Sequence, residues 1–270
     1  MLAIVLRRHD FREADQIISL YTREVGKREA LARGVKKITS KNSGSLEPFS
    51  VIEAEIIPGK EIDHIGSVQI IELFKNIRSD FDKMVLAQRA VSLIEQLFSN
   101  SEPDTQSFNV IYSWFQALDQ SSSASPILLA AFMMKLLSRL GFAPELENCS
   151  GCGRSSSLPL SRPLPTLPLK GEGDDSSPPF KEGTGGVVLV AFDIPAGGVV
   201  CAECRAKPNP SEQLLSLTPG TLQALRTIIT ADWNQIFPLI LDKKDTDELH
   251  KFVHRFAVFH SGKKLKEWRS

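Results

Sequence analysis

The sequence predicts an α+β protein: a small antiparallel β-barrel over residues 1–79, then an all-α region over 80–270 that carries a four-cysteine zinc finger. Three observations predict this. Apolar residues alternate with a period of two through the first eighty positions, helical periodicity takes over after Asp80, and two Cys-x-x-Cys pairs lie in the second half.

Within the first part, Leu2, Ile4 and Leu6 alternate with Ala3, Val5 and Arg7, and Gln16 to Tyr21 is a second apolar run. A turn at Val25-Gly26-Lys27 precedes Glu29 to Val35. From Ser50 to Ile57 the alternation is clean, with Ile52, Ala54 and Ile56 on one face and Glu53 and Glu55 on the other. Pro58-Gly59 ends that run, and Ser67 to Phe74 follows. Five short strands separated by turn residues make a closed or partly closed barrel the economical arrangement.

Beyond Asp80, Leu86, Ala90, Leu93, Ile94, Leu97 and Phe98 fall on one helical stripe, with Asp80 or Asp82 placed to cap it. Val110 to Leu118 forms a second helix. Pro126 to Leu140 is apolar nearly all round and ends at Gly141, so it reads as a buried helix with Phe132, Met133 and Met134 in the core. Thr218-Pro219 opens another, proline at the first helical position costing no hydrogen bond. The last begins near Asp245 and is expected to turn Leu249, Phe252, Val253, Phe256 and Phe259 inward.

One stretch breaks the pattern. Residues 155–186 contain six Pro, five Gly and six Ser, 17 of 32 positions, and read as a disordered low-complexity insertion with too little apolar surface to form a core.

Cys149-Ser-Gly-Cys152 and Cys201-Ala-Glu-Cys204 carry the chemistry. Two such knuckles facing one another supply the tetrahedral sulfur cage preferred by Zn²⁺. The 48 residues between Cys152 and Cys201 exceed the roughly 15–20 usual for such sites. Removing the 32 low-complexity residues leaves 16, which restores the expected spacing. Four thiolates leave no coordination position open, so the predicted zinc is structural. No phosphate loop, GxGxxG or GxSxG motif is present. His250 and His254 have the spacing of a zinc-protease helix, but Lys251 occupies the general-base position. Both histidines read as ordinary, partly exposed helix residues, and no enzyme is indicated.

Lys+Arg and Asp+Glu both total 32, so net charge is zero and overall basicity implies no partner. The charge is nevertheless segregated: residues 1–46 hold ten basic and five acidic side chains, and residues 47–80 three basic and seven acidic. A polyanion could use the basic end, although a solvated surface without a partner has the same pattern. There is no signal-peptide pattern, and the longest apolar run, Ile127 to Met134, is far below the roughly 20 residues of a membrane span. Paired cysteines suit a reducing compartment, so a cytoplasmic protein is expected.

Several segments, in order, resemble the RecO family of bacterial recombination mediators. They are Val5-Leu6-Arg7-Arg8 with Glu13-Ala14-Asp15, Tyr21 to Lys27, Ala32-Arg33-Gly34-Val35-Lys36-Lys37, Leu46-Glu47-Pro48-Phe49, and Ala191-Phe192 through Gly197-Gly198 to Cys201-Ala-Glu-Cys204. The resemblance covers nearly the whole chain; the 155–186 insertion departs from it. It implies an N-terminal OB-fold, a helical C-terminal domain and a zinc finger. It further implies DNA repair in the RecF pathway, strand annealing and a nucleoid association. RecA loading on strands coated by single-stranded-DNA-binding protein is implied too, with RecR as partner.

OB-folds bind single strands by tracking phosphates with basic groups and stacking bases on aromatics. Arg7, Arg8, Lys27, Arg33, Lys36, Lys37 and Lys41 are the basic candidates, and Tyr21 and Phe49 the few candidate stacking rings. Single-stranded DNA, with duplex DNA weaker, is the expected ligand, bound mainly through salt-sensitive phosphate contacts. An OB-plus-zinc module acting on RNA, or a scaffold that binds no nucleic acid, are the other readings.

Overall fold

A computed structural model describes residues 1–37, 40, 42, 44–98, 103–155, 190–206 and 213–265. The insertion, apart from Ser155, and Lys41 therefore lie outside the described residues.

Five strands form the barrel: β1 (Leu2–Asp10), β2 (Gln16–Thr22), β3 (Gly26–Ala32), β4 (Val51–Ile57) and β5 (Asp63–Glu72). The order is β1-β2-β3-β5-β4, closed by β4 returning to β1. All neighbours are antiparallel except β3 and β5, which run parallel with Ala30 opposite Asp63 and Leu31 opposite His64. β1 pairs with β2 along its length and with β4 at Leu2–Ile4, and its register with β2 shifts between Val5 and Arg7. Such a bulge bends the strand, which closure of a five-stranded barrel demands.

The period-two pattern of β1 feeds two cores. Ala3 and Val5 point into the barrel with Ile18, Leu20, Ala32, Ile52 and Ala54. Ile4 and Leu6 point outward and are equally buried, because helices cover that side of the barrel. The segment Glu47-Pro48-Phe49-Ser50 is the joint between the two. The Ser50 N–H donates to Glu47 O at 3.2 Å, closing a turn that puts Phe49 at φ 70°. Non-glycine residues adopt that backbone only under constraint. Here the constraint is visible: the Phe49 ring packs 5.8 Å from that of Phe115, and Arg78 donates to both Pro48 O and Ser50 Oγ at 2.8 Å.

The helices are α1 (Lys75–Ser79), α2 (Phe81–Leu97), α3 (Thr105–Gln120), α4 (Ile127–Arg139), α5 (Ala202–Arg205), α6 (Pro219–Thr230), α7 (Trp233–Ile236) and α8 (Lys243–Ser261). Asp80, Asp104, Thr218 and Asp242 cap α2, α3, α6 and α8 by accepting backbone N–H groups of the first turn. α4 is the hub: residues 127–134, Leu136 and Leu137 are buried, as its all-round apolar sequence predicts. The Trp114 indole of α3 donates to Leu128 O at 3.0 Å, satisfying its buried N–H.

Two expectations about α8 are corrected. Phe259 is 42% exposed, since its position has rotated off the stripe carrying Phe252 and Phe256. His250 is buried and bonds through Nε2 to Pro126 O at 3.1 Å, which ties α8 to the start of α4.

The helical region also holds a small sheet that the sequence pattern does not specify. It comprises β6 (Val190–Asp193), β7 (Gly198–Val200) and β8 (Leu214–Leu217), in the order β7-β6-β8. Strands of three or four residues are too short to establish a period.

Candidate nucleic-acid interface and metal centre

The four cysteines are brought together as their spacing predicts. Their sulfurs all lie within 4.8 Å of one another, a grouping that can hold a metal ion. Cys152 Sγ and Cys201 Sγ are 3.8 Å apart. A tetrahedron with metal–sulfur bonds of about 2.3 Å has sulfur–sulfur edges of about 3.8 Å, so the donor set fits.

Each knuckle is built by local backbone bonds. In the first, Gly153 N–H donates to Cys149 O and Cys149 N–H to Arg154 O, both at 2.8 Å. Gly151 lets the knuckles approach closely: a Cβ there would stand 3.1 Å from Cys204 Sγ and press on the cluster. In the second, Cys201 occupies the position before α5, and one helical turn brings Cys204 back beside it. The knuckles then lock together: Cys201 N–H donates to Cys149 Sγ at 3.3 Å, and Arg154 pairs with Glu203 at 2.7 Å. Ser150 N–H donates to Val199 O at 2.9 Å, attaching the cluster to β7.

The thiols do not titrate alike. Desolvation acts to raise Cys149, but the backbone N–H groups of Cys201, Gly151 and Cys152 overcome it and bring that thiol down to about 6. Cys204 is pushed up to about 12 by desolvation and by its three thiol neighbours. Successive negative charges in one cage repel, and a bound cation removes that conflict. His250 and His254 do not form a second site. Each bonds through Nε2 to a backbone carbonyl, Pro126 O and Leu265 O respectively.

The candidate basic residues separate into groups. Arg33, Lys36 and Lys37 follow β3 at one end of the barrel, and all three are exposed. That segment is fastened to the β1–β2 turn: Lys36 N–H donates to Ala14 O at 3.1 Å and Gly34 N–H to Asp15 Oδ1 at 2.7 Å. Lys36 Nζ lies 3.0 Å from Asp10 Oδ2. Arg33 Nη2 is 3.1 Å from His64 Nε2, at the start of β5 just after the β4–β5 loop. The β1–β2 turn and the β4–β5 exit thus meet at the basic segment, where OB-type barrels receive oligonucleotides.

The others are engaged differently. Arg8 bonds to Glu47 and Gln16. Arg7 turns toward the helices, pairing with Glu95 at 2.6 Å and donating to Ser92 Oγ at 2.8 Å. Lys27 is the second residue of β3, six residues and therefore about 20 Å of strand from Arg33. Tyr21 and Phe49, the expected stacking rings, are buried in the core; Tyr21 packs 5.0 Å from Phe98. Neither can meet a base. The ring that sequence reasoning missed is Phe11, in the β1–β2 turn, with the Arg12 guanidinium 5.0 Å from its centroid. Its signal was available: an aromatic flanked by Asp10 and Arg12, between two strands and outside either alternation.

A closed five-stranded barrel of this order, joined to a helical region with a clustered Cys₄ site, defines an OB-barrel protein with a metal-type knuckle pair. Residues 1–74 match the family model described as Recombination protein O N terminal, and residues 78–184 the one described as Recombination protein O C terminal. The chain belongs to the RecO family. It is 27% identical over 264 residues to a DNA repair protein RecO from Desulforamulus reducens, covering 98% of this chain and 90% of that one. It is 30% identical over 227 residues to a DNA repair protein RecO from Anaeromyxobacter sp., covering 83% and 76%. A third relative of that name, from Symbiobacterium thermophilum, is 27% identical over 97% of this chain and 92% of its own. These relatives are named as repair proteins and not as enzymes. Among the described residues, no helix is long and apolar enough to cross a membrane.

Proposed function

We propose that this chain acts in DNA repair and recombination by binding single-stranded DNA at the end of its barrel where Arg33, Lys36 and Lys37 are fastened to the β1–β2 turn. The observation that carries the reading is that fastening, the Gly34 N–H to Asp15 and Lys36 N–H to Ala14 bonds. They give the exposed cations a fixed backbone, so a phosphate chain meets a preorganised strip.

Contacts to phosphate leave base edges free. A protein that neutralises two strands in this way lowers their repulsion without occupying the edges that must pair, so annealing needs no nucleotide and no catalytic residue. The same feature suits exchange of partners on a strand: loading of RecA where single-stranded-DNA-binding protein is bound, with RecR as partner. Duplex DNA is bound more weakly.

Zn²⁺ is the metal we assign to Cys149, Cys152, Cys201 and Cys204, because an all-thiolate tetrahedral set favours it. With its shell closed, the ion ties the two knuckles together and supports the small sheet, and it supplies no reaction chemistry.

The test is fluorescence anisotropy with matched single-stranded DNA, single-stranded RNA and duplex DNA at several salt concentrations. Preference for single-stranded DNA and affinity falling steeply with salt are expected. Absence of salt-dependent DNA binding would overturn the reading, and a preference for RNA would redirect it.

A further inference from the structure

We propose that Phe11 is a stacking platform for an unpaired nucleobase, with Arg12 holding the adjacent phosphate; this rests on the reading that the barrel end binds single strands. Of the aromatic rings in residues 1–80, Tyr21, Phe49 and Phe74 are buried, whereas Phe11 remains 46% exposed. A single exposed apolar side chain is ordinary by itself. Its setting is not.

Four bonds fix the ring's backbone relative to the basic segment. Asp15 O accepts the N–H groups of Phe11 and Arg12, at 3.2 and 3.4 Å, which closes the turn. The Asp15 carboxylate accepts Gly34 N–H at 2.7 Å, and Ala14 O accepts Lys36 N–H at 3.1 Å, which attach the turn to residues 33–37. Phe11 is therefore presented beside Arg33, Lys36 and Lys37 by the fold. The Arg12 guanidinium, 5.0 Å from the ring centroid, adds a cation to the same spot. Asp10 and Glu13 are the exposed acids there, the first neutralised by Lys36 at 3.0 Å, against the exposed cations Arg12, Arg33, Lys36 and Lys37.

Other exposed rings lack this setting. Phe81 is more exposed, at 72%, but stands between Asp80 and Asp82, which repel a phosphate chain. Phe259 lies in the last turn of α8, outside the barrel, its ring 5.1 Å from that of His260. Among these three, Phe11 alone stands on the barrel beside its basic segment. That pairing of a π-face with a charged track is how single strands are held without sequence preference, each stacked base contributing about 1–3 kcal/mol.

The experiment compares the full-length parent with Phe11→Ala, Phe11→Leu and Phe11→Trp on single-stranded and duplex DNA across a salt series. Phe11→Ala and Phe11→Leu should weaken single-strand binding about five- to a hundredfold. Duplex affinity should hold, since paired bases are already stacked, and the salt slope should be unchanged because the ring neutralises no phosphate. Phe11→Trp should keep the affinity and show indole fluorescence that is quenched by single-stranded DNA. Full affinity in Phe11→Leu would overturn the stacking role, and so would equal losses on single and double strands. Melting temperature, unchanged in all three, separates these outcomes from a folding defect. If the parent itself binds no single-stranded DNA, the functional reading fails first, and Phe11 has no base to stack.

Discussion

Arg7 and Glu95 form an ion pair at 2.6 Å that fastens the first strand of the barrel to α2, with Ser92 Oγ accepting a second guanidinium bond at 2.8 Å. Their side chains are only 31% and 21% exposed, so water screens the pair less than a surface bridge. Arg7→Ala and Glu95→Ala should each lower stability by about 1 kcal/mol, and the double variant should lose less than the sum. Denaturant melts of the four proteins check this. Strict additivity would show that the pair carries no coupling. DNA affinity should change less in Arg7→Ala than at the barrel end.

Arg33→Glu, Lys37→Glu and Lys36→Gln together should abolish most single-strand binding. Each phosphate left without its cation should reduce the salt slope by about 0.7. Lys36 is neutralised and not reversed, because a glutamate there would face the Asp10 carboxylate, which now accepts the lysine at 3.0 Å. Gln16 and then Lys36 hold that carboxyl below its usual range. An unaltered slope in the triple variant would remove the strip from the binding surface.

Purified protein should carry one zinc per chain. Cys149→Ser should be the most damaging single change, since its sulfur also accepts the Cys201 N–H at 3.3 Å and is buried with Ala191 and Val200. Metal release and loss of the β6–β7–β8 sheet should follow it, with the barrel still folded. Elemental analysis and hydrogen exchange read the two effects separately. Metal-free parent protein with an intact sheet would count against the cage.

Stability should fall on acidification because of His250. Burial, working against its bond to Pro126 O, lowers its pKa from the usual 6.5. The unfolded chain therefore takes up the proton first. The stabilisation is complete above about pH 6.5 and is lost as pH falls through the lower folded value. Urea melts at pH 7.5, 6.5 and 5.5 should show this loss in the parent and a smaller one in His250→Gln. Equal pH dependence in both would exclude His250 as the cause.

Deleting residues 156–186 should leave melting temperature, zinc content and annealing rate unchanged. Ser155 is retained because it bridges to Asn148 beside the first knuckle. A long loop closed at both ends costs little, about 0.6 kcal/mol for each doubling of its length. Loss of zinc or of annealing in the shortened protein would make the segment part of the working molecule.

The amino-acid pattern alone determined a good deal: five strands by their apolar runs and turns, the five longer helices by their apolar stripes, the buried α4 by its composition, and the Cys₄ set by paired spacing once the insertion was set aside. These are local properties, legible because each is written within a few residues. What only the tertiary structure decided is which face of each element meets what. β1 shows two alternating apolar faces, and nothing in it says that helices cover the second; for that reason Tyr21 and Phe49, which resemble stacking rings in sequence, are core residues. Seven basic residues look alike in the chain, yet Arg7 turns toward Glu95, Lys27 stands at the far end of β3, and Arg33, Lys36 and Lys37 gather beside Phe11. The physical reason is that a charge or a ring acquires its role from neighbours supplied by distant segments, and those neighbours are set by barrel closure and helix docking, not by sequence proximity.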